Sequence, residues 1–183
     1  MLMSTIGRNI RNNTQWKIWC EPKMGDRRRN KIFAKFIRTQ FPKAQSVLVV
    51  ADGNGELSCL LANLGYEVTM FEPKPRNLKK SQRVKRVKAY FTAETPIAQD
   101  LIVGMHPDAG TVEIILAAKK NEKPFAVVPC CIMVLEGRES YVKGFPHNRK
   151  GWITRLRSIY GGGLTETYDL KMQGPNTVVY ARR

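Results

Sequence analysis

The 183-residue chain is short of acidic residues, of cysteine and of long apolar runs. Its 15 aspartates and glutamates stand against 31 lysines and arginines, and the resulting formal net charge of +16 is far from the near-neutral balance of a typical metabolic enzyme. No apolar run approaches the roughly 20 residues that a membrane-spanning helix needs. We therefore expect no membrane segment, and a polyanion is the first candidate partner.

The cysteines Cys20, Cys59, Cys130 and Cys131 form no CxxC pair, so the sequence predicts no zinc site and no other metal. The first ten residues also lack the apolar segment of a secretory signal, and a disulfide framework is not expected. The expected compartment is the cytoplasm or another reducing one. The oligomeric state is left open by the sequence.

A hydrophobic share of 43% is ordinary for a folded globular protein, and the chain length matches one domain. Residues 1–25 are polar and basic, with Trp16 and Trp19 as their only large anchors, and we interpret them as a basic N-terminal arm. Residues 26–183 are predicted to form a single domain. The absence of an internal repeat argues against a solenoid or a propeller.

The positive charge is concentrated in two segments. Residues 1–45 carry 11 basic and 2 acidic side chains, and residues 74–88 carry 8 basic and no acidic ones. Residues 46–73, between them, hold 4 acidic side chains and no basic one. This segregation is typical of a surface that binds phosphates beside a neutral or acidic pocket for a cationic or hydroxyl-rich ligand. A merely solvated basic surface is the alternative.

Apolar periodicity predicts strands and helices in alternation. A first helix is expected after Asp26 as N-cap, with an apolar stripe formed by Ile32, Phe33, Phe36, Ile37 and Phe41. The other predicted elements are strands over 46–51, 67–71, 84–91, 100–104 and 125–129, helices over 57–64, 76–83, 111–120 and 152–159, and a hairpin over 164–170 and 177–181. This order indicates an open, mostly parallel α/β sheet with a closing antiparallel hairpin.

Ligands of such sheets bind beyond the carboxyl ends of the strands, where the winding direction reverses. The loop over residues 51–55 follows the first strand, and its small residues let backbone N–H groups approach a ligand, although a plain tight turn is the alternative. Glu72 ends the second strand, where a carboxylate can accept the hydroxyl hydrogens of a ribose. The two features favour an adenosine-type cofactor. A dinucleotide is disfavoured because Ser58 replaces the third glycine of its fingerprint.

Four ordered segments carry a resemblance to a known family: 47–57 (VLVVADGNGEL), 67–73 (EVTMFEP), 100–107 (DLIVGMHP) and 127–131 (VVPCC). They are similar to the class I S-adenosylmethionine-dependent methyltransferases. Within that family they most resemble the branch with GLH-like and PCC segments, which includes RNA methyltransferase-like proteins. The resemblance covers residues 25–183. It implies a Rossmann-like sheet of seven mostly parallel strands with a C-terminal antiparallel hairpin, and S-adenosylmethionine as the cofactor.

The resemblance also implies a cofactor site, with the ribose at Glu72 and the adenine near Phe91. The implied cofactor-binding residues are Ala51, Asp52, Gly53, Asn54, Gly55, Glu72, Pro73, Phe91 and Gly104. The chain departs from the family pattern at Val49, where an acidic residue is usual, and at Ala51, where glycine is usual. Asp52 or Glu56 is the expected substitute for the missing acid.

His106 and Asp108 follow the fourth predicted strand, where family members orient an acceptor amine or hydroxyl, and they are the predicted catalytic residues. An imidazole titrates near neutral pH and suits a base, whereas a histidine hydrogen-bonded at a strand end is the alternative.

Cys130 or Cys131 could attack a pyrimidine, but no flanking basic residue lowers a thiol pKa, and a core role is favoured. Lys143 and Lys150 are interpreted as phosphate contacts or solvated charges.

Basic side chains interleaved with aromatic ones are typical of RNA binding by phosphate contact and stacking. The predicted nucleic-acid-binding residues are Arg27, Arg28, Arg29, Arg76, Lys79, Lys80 and Arg83. The leading hypothesis is an S-adenosylmethionine-dependent methyltransferase that acts on RNA. The alternative is a catalytically inactive, methyltransferase-like RNA-binding or ribonucleoprotein component, and nicotinamide-dependent oxidation and small-molecule methylation stay open.

Overall fold

A computed structural model describes residues 26–76, 81–130 and 148–182 of the chain. The predicted arm over 1–25, together with Lys79, Lys80, Cys131 and Lys143, lies outside the described residues. Within them, no helix is long and apolar enough to cross a membrane.

Seven strands in the described residues form one sheet. They are β1 Ser46–Val50, β2 Glu67–Phe71, β3 Val84–Val87, β4 Leu101–Met105, β5 Phe125–Val128, β6 Glu166–Asp169 and β7 Thr177–Ala181. Their order in space is β3-β2-β1-β4-β5-β7-β6, with β1 to β5 parallel and β7 antiparallel to both β5 and β6. The predicted Rossmann-like sheet, mostly parallel and closed by a C-terminal antiparallel hairpin, is confirmed.

In the part of the chain that the structure describes, four α-helices cover the two faces of the sheet. They are α1 Arg29–Gln40, α2 Glu56–Asn63, α3 Gly110–Lys120 and α4 Arg149–Tyr160. One buried cluster joins α1 and α2 to the face that carries Val47 and Val49, and a second joins α3 and α4 to the face that carries Leu48 and Val50. Because successive strand residues point to opposite faces, β1 is buried on both sides, as its β-branched run predicts.

The predicted apolar stripe of α1 is confirmed. Phe33, Phe36, Ile37 and Phe41 of the α1 stripe are buried, and Ile32 is partly buried against the same cluster. The expected end of α2 at a glycine is also found. Gly65 has φ 98°, and the N–H groups of Gly65 and Tyr66 donate to carbonyls of the last helical turn, as in a Schellman motif.

Asp26 and Asp100 are both placed wrongly by the sequence interpretation. α1 begins at Arg29 with Arg28 as its N-cap, and not directly after Asp26. The Asp26 carboxylate accepts from the backbone N–H and the guanidinium of Arg28 in the turn before the helix. Asp100 precedes β4, because its carboxylate accepts from the N–H groups of Gln45 and Ser46 at the start of β1.

Two other predicted elements differ in extent. β3 ends at Val87 and not at residue 91, because its partner β2 ends at Phe71, the residue paired with Val87. The basic helix expected over 76–83 is not found in its described part, since Arg76 and residues 81–83 are not helical. The strand expected over 164–170 is β6 alone, because residues 162–164 form a 3-10 turn.

β1 lies between β2 and β4 at the centre of the sheet, which is the switch point of the winding. The loops that follow these three strands therefore face one another at the same edge.

Gly104 in β4 tests how tightly this region is packed. A Cβ at this position would lie 2.6 Å from Cδ1 of Ile114 and 2.9 Å from Cγ of Pro107, both in buried residues. We expect Gly104→Ala to lower the free energy of unfolding by about 1–3 kcal/mol, as overpacked cores do. Urea denaturation measures it. Gly163→Ala is the control because its Cβ would meet nothing within 4 Å, and equal stability of the two variants would contradict this packing.

Candidate functional site

A cavity of about 850 Å³ lies beyond the carboxyl ends of β1, β2 and β4. Its size is typical of small-molecule sites, which span roughly 300–1,000 Å³. The wall is formed by the loops after the three strands, by the start of α1 and by the segment after β3.

The loop after β1 has the backbone of a three-glycine turn. Ala51, Gly53 and Gly55 have φ values of 55°, 58° and 74°, a region that is costly for a residue with a Cβ. The Asp52 carboxylate accepts from the N–H groups of Leu57 at 3.2 Å and Ser58 at 2.7 Å. Burial raises the pKa of Asp52, although these hydrogen bonds lower it. Asp52 thus caps α2 and holds the loop in a tight bend.

Glu72 joins this loop to the segment after β2. It is only 8% exposed, and its two oxygens accept from the N–H of Gly53 at 2.9 Å and of Lys74 at 2.8 Å. The N–H of Arg76 donates in turn to the carbonyl of Gly53 at 3.0 Å. An ionised carboxylate has about four acceptor positions, so one remains on each Glu72 oxygen for a ligand.

An aromatic wall closes the cavity on the side of β3. Phe91 is buried and meets Phe71 edge to face, with ring centroids 5.8 Å apart. Tyr90 is 73% exposed and also lines the cavity. The N–H of Ala93 donates to the Glu113 carboxylate, which fixes this segment to α3. The buried ring of Phe91 and the exposed ring of Tyr90 thus give the cavity an aromatic surface on which a planar ring can stack.

His106 stands at the end of β4 with φ 53°. Its Nε2 lies 2.9 Å from the carbonyl oxygen of Pro175 in the turn between β6 and β7. Because a carbonyl only accepts, Nε2 carries the proton and Nδ1 keeps the lone pair of the neutral ring. Burial lowers the pKa of His106, and the charges of Arg29 and Arg149 lower it further, against the opposing effects of Pro175 and Asp108.

Asp108 is engaged by Cys130. The Cys130 thiol donates to Oδ1 of Asp108 at 2.8 Å. Burial, together with this carboxylate, raises the pKa of Cys130 to about 12. A thiolate nucleophile is therefore disfavoured at this position near neutral pH, and the geometry supports the structural interpretation of Cys130.

Most of the cofactor-site residues implied by the sequence share this cavity. The lining includes Ala51, Asp52, Gly53, Asn54, Glu72, Pro73 and Phe91, together with the predicted catalytic residues His106 and Asp108. Gly55 does not line it but is the buried N-cap of α2, and Gly104 packs against α3. Val49, where the family pattern has an acid, is fully buried in the core, whereas the expected substitutes Asp52 and Glu56 both line the cavity.

The predicted nucleic-acid-binding residues divide into two groups. Arg29 and Arg76 line the cavity, whereas Arg27, Arg28 and Arg83 are exposed outside it. Lys150 is exposed at the start of α4.

Sequence reasoning missed Asn30, Lys74 and Tyr90, which also line the cavity. Each of them adjoins a predicted site residue, namely Arg29, Pro73 or Phe91. Lys74 also begins the basic segment over residues 74–88. No cluster of His, Cys, Asp or Glu that could hold a metal ion occurs in residues 26–76, 81–130 and 148–182.

Comparisons with known proteins place this geometry in a structural class. Neither a family model nor a curated protein matches the chain. Among solved structures, spermidine synthase from Thermotoga maritima aligns with a TM-score of 0.60 at 14% identity, over 85% of this chain and 59% of its own. The S-adenosylmethionine-dependent methyltransferase SibL aligns with a TM-score of 0.57 at 17% identity, over 84% and 54%.

Precorrin-6y C5,15-methyltransferase from Geobacter metallireducens aligns with a TM-score of 0.52 at 15% identity, over 83% of this chain and 86% of its own. The fold is that of the S-adenosylmethionine-dependent methyltransferases. The chain spans only about half the length of several neighbours, SibL among them. At these identities the methyltransferase fold is shared, and the reaction is a separate question.

The strained φ of Ala51 in this methyltransferase fold predicts that glycine suits the position. We expect Ala51→Gly to leave the free energy of unfolding unchanged or to raise it by up to about 1 kcal/mol, because relief of the left-handed conformation offsets the entropy of glycine. Chemical denaturation measures this. Ala44→Gly, at a half-buried position without a positive φ, is the control and should lose about 0.5–1 kcal/mol. A clear destabilisation by Ala51→Gly would contradict the strain.

His106 predicts a pH dependence of stability. In the unfolded chain its pKa is near 6.5, and in the folded protein it is lower, so below pH 6.5 the unfolded state binds more protons. The free energy of unfolding therefore falls as the pH drops through this range. We expect His106→Gln to reduce the difference in stability between pH 7.5 and pH 5.5, measured by thermal and urea unfolding. An unchanged difference would show that the imidazole is not held neutral.

Proposed function

We propose that this protein is an S-adenosylmethionine-dependent methyltransferase. The observation that carries the proposal is the buried Glu72 carboxylate, which faces the cavity beside the loop over residues 51–55 at the switch point of the sheet. In folds of this type, an acidic residue at the end of the second strand binds the ribose of the cofactor.

The chain's own residues fit the donor. Glu72 keeps one acceptor position on each oxygen, which matches two ribose hydroxyls. Phe91 and Tyr90 offer ring faces to an adenine. Asp52, Glu56 and Glu72 give the inner wall a negative charge, which complements the sulfonium and ammonium groups of S-adenosylmethionine.

When bound, S-adenosylmethionine supplies a methyl group on a sulfonium, so that attack on the methyl carbon breaks the carbon–sulfur bond and leaves its electron pair on sulfur. The protein then needs only to place the acceptor atom in line, about 3 Å from that carbon. His106 lines the same cavity with an unprotonated Nδ1, and it is the proposed base that takes the acceptor's proton. Asp108 is the proposed orienting group beside it.

The proposed acceptor is RNA. The net charge of +16, the exposed basic face of α1 and the position of Arg29 and Arg76 in the cavity wall support a phosphate-rich substrate. The resemblance to the branch with GLH-like and PCC segments favours the same acceptor. The solved structures compared above do not support RNA as the acceptor, and two of them are named for small molecules, precorrin-6y and spermidine.

A catalytically inactive RNA-binding protein is the second candidate. It is favoured by the buried Val49 in β1 and the strained Ala51 in the loop that follows, both departures from the family pattern. This candidate shares the basic surface but requires no affinity for the donor.

Isothermal titration with S-adenosylmethionine tests the cofactor directly. We expect the protein to bind it and Glu72→Gln to weaken the affinity by about ten-fold or more, because a charge-assisted hydrogen bond is lost. Glu67→Gln is the matched control, since Glu67 begins β2, the strand that Glu72 directly follows, is exposed and does not line the cavity. Thermal unfolding of both variants shows whether Glu72→Gln is still folded.

A titration without heat at millimolar S-adenosylmethionine would overturn the enzyme assignment. Salt-dependent binding of a hairpin RNA in that case would favour the second candidate. Binding of reduced nicotinamide adenine dinucleotide in place of S-adenosylmethionine would favour an oxidoreductase. Transfer of a tritiated methyl group to RNA, rather than to small molecules, is the result that the proposed acceptor requires.

A further inference from the structure

Three distant segments of the chain meet at one corner of the cavity: the start of α1, the end of β4 and the turn over residues 170–176. The Asp26 carboxylate accepts from Arg28 and, at 3.4 Å, from the N–H of Gln173 in the turn. The Arg28 guanidinium holds the pKa of Asp26 well below its ordinary value. Asp26 therefore stays ionised and ties the start of α1 to the turn.

The same turn holds the His106 ring. The carbonyl of Pro175 accepts from Nε2 at 2.9 Å, and the N–H of His106 donates to the carbonyl of Val128 in β5. Hydrogen bonds thus hold both the backbone and the imidazole ring of His106. Arg29 is the first residue of α1 and directly follows Arg28, whose N–H donates to the Asp26 carboxylate. Arg29 therefore lies at this corner.

Arg29 differs from the acidic groups of the cavity. Glu72, Asp52 and Asp108 each accept a hydrogen bond from the protein. Arg29 is half-buried and lines the cavity, yet its guanidinium makes no side-chain hydrogen bond or ion pair within the described parts of the chain. A partly buried guanidinium without a partner favours an anion in the cavity.

Two cations act on His106 at this corner. The positive charges of Arg29 from α1 and of Arg149 from the start of α4 both lower the pKa of the ring, in addition to its burial. Arg149 also donates to the carbonyl of Pro129, so its position is fixed. Lys74 and Arg76 add two more cations to the cavity wall.

We propose that this corner, formed by Arg29, His106 and the Pro175 turn, binds a phosphate group of the methyl acceptor next to the atom to be methylated. The inference rests on the proposed function and adds to it the substrate class, a phosphate ester. Arg29 presents a planar fork of donors that matches phosphate oxygens. His106 lines the same cavity and keeps its lone pair on Nδ1, so the site binds the phosphate with one residue and holds the proposed base with another.

The test is a titration of the protein with inorganic phosphate. The signals of the His106 ring are monitored by NMR of protein labelled with nitrogen-15 in histidine. The chain has two histidines, and a His147→Gln variant assigns the signals. At constant ionic strength and pH 7.5, inorganic phosphate should shift the His106 signals to saturation, whereas acetate should not. The dissociation constant for phosphate should rise at least about five-fold in Arg29→Gln.

Arg38→Gln is the matched control. It removes the same charge from the same helix, but Arg38 lies nine residues further along α1 and does not line the cavity. Its phosphate affinity should stay within about two-fold of the wild type. No saturable shift with phosphate, equal losses in Arg29→Gln and Arg38→Gln, or an equal response to acetate would each overturn the proposal.

Two further arms separate the sources of the phosphate and the two proposals. A ribonucleoside 5′-monophosphate and a short RNA hairpin are titrated in the same way. A loss of affinity in Arg29→Gln for either ligand supports the site. The ligand with the larger loss represents the class of the natural substrate. S-adenosylmethionine binding should be unchanged within about two-fold in Arg29→Gln. If S-adenosylmethionine fails to bind while phosphate saturates, the anion site stands and the proposed function falls.

Discussion

The buried carboxylate of Glu72 is the contact on which the site depends. It accepts one N–H from the loop after β1 and one from the segment after β2, and so it fixes the floor of the cavity across two neighbouring parallel strands. A carboxylate is costly to bury without donors, and these two N–H groups supply them. The acceptor positions left over point to a ligand that brings hydroxyl groups.

Backbone strain is concentrated around the same cavity. In the part of the chain that the structure describes, three of the four non-glycine residues with positive φ are Ala51, His106 and Asp108. Ala51 directly follows β1, and His106 and Asp108 lie in the loop after β4. Both are central strands whose residues are almost all buried. Each such conformation costs about 1–2 kcal/mol and persists only because the surrounding structure determines it. The packed sheet thus holds the cavity wall in a shape that the loops would not adopt alone.

The hydrophobic pattern was sufficient to predict the strands of the sheet. It did not predict every residue at which a helix or strand begins. The strand predicted over 46–51 is found as β1 at Ser46–Val50, and its apolar run shows no polar alternation because both of its faces are buried. The starts of α1 and β4 were misplaced because the carboxylates of Asp26 and Asp100 bond to backbone groups outside the helix and strand. Such choices depend on which donor lies within reach in the folded chain.

The parts of the candidate site that a single segment of the sequence supplies were predictable. The loop over 51–55 and Glu72 were found from spacing, but a glycine pattern could not separate Gly53, which lines the cavity, from Gly104, which packs against α3. The contact between His106 and Pro175 joins residues 69 positions apart, and nothing in the local sequence of either one signals it. Burial and tertiary contact, rather than motif, distinguish Arg29 in the cavity from its exposed neighbours Arg27 and Arg28.

The most direct measurement is a crystal structure of the protein with S-adenosylhomocysteine. We expect both ribose hydroxyls to donate to the Glu72 carboxylate, with the adenine against Phe91 or Tyr90 and the sulfur directed toward His106. A ligand bound elsewhere, or a ribose that does not contact Glu72 in a filled cavity, would contradict it.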